Sequence, residues 1–144
     1  MATPAIYDIG LDDDGDLPVV CRHITGLDLV VQRVTRRLRT FYGEYLADRR
    51  VGLPYLAWAQ QKPPRTDAIG AVLRATIAAT TGVVRVSDWS GTFDVATRAL
   101  TFTGTIHTSF GDVSATILPF GTPGTGNRNA VFSLLVTPSH IVRR

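Results

Sequence analysis

The spacing of apolar residues changes character near Gly82 in this 144-residue chain. Before that point the period is helical. Val30, Val31, Val34, Leu38 and Phe41 fall three or four positions apart, which predicts an amphipathic helix over roughly 26–41. Thr25 stands where an N-cap belongs, Asp28 sits in the first turn, and Gly43 offers a left-handed C-cap. Residues 44–62 read as a loop with some helical turn, and Pro63-Pro64 then breaks the chain. Thr66 caps a second helix with Asp67 in its first turn, Ile69, Val72, Leu73 and Ile77 as the buried stripe, and Gly82 as its terminator.

Beyond Gly82 the period is two. Val84, Val86 and Asp88 alternate with Arg85 and Ser87, and Leu100, Phe102, Gly104 and Ile106 alternate with Thr101, Thr103, Thr105 and His107. Val113, Ala115 and Ile117 follow the Gly111-Asp112 turn, and Asp94 to Arg98 reads as another turn. Three or four antiparallel strands are expected, with one buried face and one Thr-rich face. The stretch 119–130, rich in Gly, Pro, Thr and Asn, reads as a linker, and 131–137 (Val-Phe-Ser-Leu-Leu-Val-Thr) as an apolar strand hung on it. That strand either returns to the chain's own sheet or pairs with a sheet edge of another chain. The expected fold is α+β, with two main helices packed on a small antiparallel sheet and an extended C-terminal arm. Residues 1–118 form the domain and 119–144 the linker and arm.

Composition narrows the class. Apolar residues make up 44% and charged residues 19%, which describes a globular chain with a core of its own. No apolar run approaches the roughly 20 residues that span a bilayer, and the first residues lack the basic and apolar blocks of a signal peptide. No membrane partner is expected. Cys21 is alone, so no intrachain disulfide forms. His23, His107 and His140 are scattered without zinc spacing, and the acidic run Asp12 to Asp16 fails the calcium-loop pattern, so it reads as a turn. No metal and no cofactor are expected.

The formal charge is +3, and of the 15 basic residues only Lys62 is a lysine. Arginine's planar fork suits carboxylate partners at protein interfaces. Arg33, Arg36, Arg37 and Arg39 on the first helix read either as a solvated face or as a contact strip for an acidic partner. A nucleic-acid reading is weakened by the small net charge and by the lack of aromatic residues among the arginines. Nucleophile elbows and phosphate loops are missing from the sequence. Glu44 and Asp48 are the best acid–base pair for glycan hydrolysis, but Arg49 and Arg50 beside them favour ion pairs that hold carboxyl pKa values low.

The segment from Val31 to Asp48, closing with Gly52-Leu53-Pro54-Tyr55, carries a resemblance. With Leu38, Thr40, Gly43, Glu44, Asp48, Gly52 and Pro54 in order, it resembles the phage baseplate wedge and sheath-initiator family of contractile tails, also labelled the tail lysozyme-like wedge family. Gly15-Asp16-Leu17, Thr25-Gly26, Gly82-Val83 and Gly111-Asp112 fit the same pattern, so the likeness covers roughly 7–118. It implies a non-enzymatic α+β domain in the virion's inner baseplate, assembled in the host cytoplasm within a ring-symmetric hetero-oligomer. The implied partners are baseplate wedge proteins and the tail sheath protein, joined by strand exchange, with tube or hub proteins as further candidates. Glu44, Arg33, Arg36, Arg37, Val131, Phe132, Leu134 and Leu135 are then the expected partner-binding residues. Type VI secretion branches carry Glu-Pro-Arg where this chain has Glu44-Tyr45-Leu46, which makes that setting the less favoured alternative.

Overall fold

The structure is a computed structural model that describes residues 7–12, 16–120 and 135–138. A short N-terminal pair, β1 (Asp8–Ile9) and β2 (His23–Ile24), runs antiparallel. Helices α1 (Gly26–Arg39), α2 (Tyr55–Gln60) and α3 (Thr66–Ala78) follow. Strands β3 (Val83–Asp94), β4 (Ala99–Thr108), β5 (Gly111–Phe120) and β6 (Leu135–Pro138) form an antiparallel sheet in the order β3-β4-β5-β6. The fold is α+β, as expected. Among the described residues no helix is long and apolar enough to cross a membrane.

The core lies between α1, α3 and one face of the sheet. Val30, Val34 and Leu38 meet Ile69, Leu73 and Ile77 from α3 and Leu100, Phe102, Ile106 and Ile117 from the sheet, all buried. Phe102 is the largest of the fully buried side chains and stacks on Trp89 with ring centroids 5.6 Å apart. Both rings need glycine opposite them. A Cβ at Gly70 would lie 2.7 Å from Phe102, and one at Gly104 would lie 2.7 Å from Trp89. Close packing of this kind leaves no room for a methyl group.

Several boundaries differ from the linear pattern. Helix α1 stops at Arg39, because Thr40 turns extended and Phe41 bridges to Leu53. Gly43 does adopt a positive φ of 86°, but in the turn beyond the helix rather than as its cap. Thr25 occupies the N-cap position without a side-chain capping bond, and Thr66 is the first residue of α3, with Arg65 at the cap position. Leu29 and Val30 are buried while Val31 is half-buried, and Val72, expected in the stripe of α3, is exposed. The loop 44–62 contains α2, whose Tyr55 and Trp58 are buried.

Strand β3 changes phase. Its register to β4 shifts near Val83, which turns Val84 outward, and again between Ser87 and Ser90. The second shift is a bulge, with Asp88 at φ 52°. One inserted residue reverses the facing of everything after it. Val86 therefore faces the core before the bulge, and Trp89 and Phe93 pack against it afterwards. Pro119 and Phe120, read as linker on sequence, extend β5: Phe120 pairs with Leu100, and a register irregularity accommodates buried Pro119, which has no N–H to donate.

Candidate functional site

After α1 the chain folds back on itself. Phe41 and Leu53 are parallel bridge partners, with Tyr42 N donating to the Leu53 carbonyl at 3.0 Å and Leu53 N to the Thr40 carbonyl at 2.9 Å. The approach is so close that Gly52, at φ 109°, has the Phe41 carbonyl where a Cβ would stand. Only glycine fits that backbone. Below the loop the Tyr55 hydroxyl donates to the Leu38 carbonyl at 2.5 Å, closing the otherwise open C-terminal end of α1. Burial pushes that phenol far above its usual range.

Glu44 stands at the tip of this reversal. Its carboxylate accepts the Phe41 amide at 2.9 Å, and its own amide donates to the Phe41 carbonyl at 3.1 Å. Glu44 also lines an open groove between α1 and the N-terminal strap, together with Arg36 and Arg39. The strap is held by Gln32, whose amide accepts from Leu11 N and donates to the Ile9 carbonyl, both at 2.9 Å. Asp48 does not line that groove. Its carboxylate takes two contacts from the Arg50 guanidinium, at 3.0 and 3.2 Å, and these hold it below the usual carboxylate range. Glycan hydrolysis needs the two carboxyl groups to face one cleft, and the groove that Glu44 lines does not include Asp48. Around Glu44, Tyr42, Tyr45 and Leu46 are exposed, Leu46 to 87%.

Arg33, Arg36 and Arg37 lie on the outer side of α1. Arg36 reaches Asp8 of the strap at 3.5 Å, an exposed pair of little energetic weight. Among the described residues Arg33 and Arg37 make no ion pair. In the C-terminal region Leu135 begins β6, which pairs antiparallel with β5 through Val113↔Pro138 to Thr116↔Leu135. Val131, Phe132 and Leu134 lie outside the described residues.

A polar chain that the linear motifs did not show crosses the open face of the sheet. The Ser87 hydroxyl lies 2.7 Å from His107 Nε2, and His107 Nδ1 lies 2.8 Å from Asp112. These are the contacts of a Ser-His-Asp relay. However, the Ser87 hydroxyl also donates to the Asp88 carboxylate at 3.1 Å, so its proton is shared with that neighbour. The chain instead ties β3, β4 and β5 together. One signal was available in the sequence: His107 and Asp112 are symmetric about the β4–β5 turn and pair directly across it.

No curated protein matches the chain. The sequence model of the contractile injection system sheath initiator family matches residues 6–111, which takes in the strap, the helices, the Glu44 loop and the whole of β3 and β4. With nearly three-quarters of its length so matched, and with the α+β fold that the resemblance implied, this chain belongs to the contractile injection system sheath initiator family.

Proposed function

We propose that this chain is a structural component of a phage tail baseplate, which docks wedge proteins through the Glu44 loop and the arginine side of α1 and starts the sheath by strand pairing at the β5–β6 edge. A structural role in a contractile injection system follows from the family itself. The observation that carries the finer reading is the sheet's edge: among the described residues β6 is the last strand, with no neighbour beyond it. Among the described residues, β6 is four residues long and pairs with Val113 to Thr116 of β5. The outer backbone groups of such an edge strand can accept a strand from another chain. The opposite edge is blunted, because β3 carries a bulge with Asp88 in it and ends on Asp94. Residues 119–144 act as the arm in this reading, although Pro119 and Phe120 belong to the last core strand. The Glu44-Tyr45-Leu46 sequence favours a phage tail over a secretion baseplate.

Two changes test the reading in assembled particles. A chain ended after Phe120 should remain folded and enter the baseplate, but leave tails without sheath. Glu44→Ala frees the Phe41 amide, loosens the loop and should block entry while circular dichroism stays unchanged. Normal sheathed tails from both variants would refute the assignment.

A further inference from the structure

The outer faces of α1 and α3 meet in an open trough that adjoins the groove Glu44 lines, Arg36, Thr40 and Tyr45 bordering both. Its floor is Val51 of the loop and the exposed Val72, Ala75 and Ala79 of α3. Its rim is Arg33 and Arg37, one helical turn apart on α1, with Arg36 at one end. Among the described residues no carboxylate lines the trough, and Arg33 and Arg37 have no acidic partner. Guanidinium groups over an apolar floor ask for an occupant with apolar side chains along one edge and carboxylates beside them.

Three occupants can be compared. The chain's own segments 121–134 and 139–144 contain no Asp or Glu and bring Arg128, Arg143 and Arg144, the wrong sign. A second copy carries the same net charge of +3, and its clustered carboxylates, Asp12 to Asp16, follow one another in sequence instead of lining one face of an amphipathic helix. A neighbour with acidic side chains complements the rim. The floor offers no free strand edge to pair with, so the occupant must satisfy its own backbone, as a helix does. We propose that the trough receives an acidic amphipathic helix from a neighbouring chain of the particle, with its apolar edge on Val51 and Val72 and its carboxylates on Arg33 and Arg37. This rests on the docking reading above and names the face and the chemistry of one partner.

A photo-crosslinking residue placed at Ala75 of the full chain, irradiated in purified particles, tests it. The expected product joins Ala75 to a segment of another chain with carboxylates at three- and four-residue spacing. Crosslinks to residues 121–144 of the same chain, to a second copy, to a segment without that pattern, or no crosslink in particles that hold the chain, would overturn the trough and leave the docking reading standing. Absence of the chain from particles would overturn both. In parallel, R33E with R37E should lower incorporation at least about tenfold at unchanged thermal stability, and unchanged incorporation would refute the proposal.

Discussion

Helices α1 and α3 each turn one face to the sheet and another to solvent, and the two faces are built to opposite tolerances. Inward, Leu38, Leu73 and Ile77 are fully buried, and Phe102 is wedged among glycines that cannot carry a methyl group. Outward, Arg33, Arg36 and Arg37 stand over exposed Val72 and Ala79, with a single ion pair among the described residues, Arg36 to Asp8. Stability lives on the first face because removed apolar area scales with free energy there. The second face contributes little to folding, so its composition is free to answer to a partner. The docking proposed above needs this separation: the interface can be specific without being the core.

The contrast can be broken from the inside first. Phe102→Ala empties the centre of the core and should cost about 3–5 kcal/mol, read as a lowered urea midpoint. Survival of the fold at near-normal stability would show that the inner face is looser than its packing indicates. Tyr55→Phe leaves the Leu38 carbonyl without its buried donor and should cost about 1–3 kcal/mol, with α1 fraying at its C-terminal end in amide exchange. His107→Ala cuts both ties across the open face and should cost about 1 kcal/mol. Ser87 should meanwhile stay unlabelled by a fluorophosphonate in the parent chain, and labelling that disappears with His107→Ala would reveal a working nucleophile instead of a tie. R33A with R37A should change stability by no more than about 0.5 kcal/mol, and a larger loss would erase the distinction between the faces.

The smallest effect is with acid. Hydrogen bonds from the Thr97 hydroxyl, then from the Ala96 and Thr97 amides, hold the Asp94 carboxyl below its ordinary 3.8. Its contribution is therefore present above that value and lost as the pH falls further, through the folded-state value. Asp94→Ala should flatten the acid side of the stability profile slightly, and an identical profile would show that the β3–β4 turn holds without this carboxylate.

Local chemistry fixed much of this molecule. The four-residue spacing of Val30, Val34 and Leu38 determined α1 and its buried stripe, and the alternation from Leu100 to Ile106 determined the inner face of β4. The order of Leu38, Gly43, Glu44, Asp48, Gly52 and Pro54 marked the family, because those residues lie along one local reversal, whose close Phe41–Gly52 approach demands glycine at 52. Where elements meet at a distance, only the folded chain decided. The bulge at Asp88 reversed the facing of β3, since register depends on the partner strand and not on β3's own pattern. Val72 looked like core and became the floor of a trough, because its burial depends on which neighbour lies over α3. Ser87, His107 and Asp112 are scattered along the chain and meet only because antiparallel pairing lays three strands side by side. Period and capping act over a few residues and can be read from them, whereas pairing register and surface complementarity arise between residues far apart in the sequence and exist only once the chain has folded.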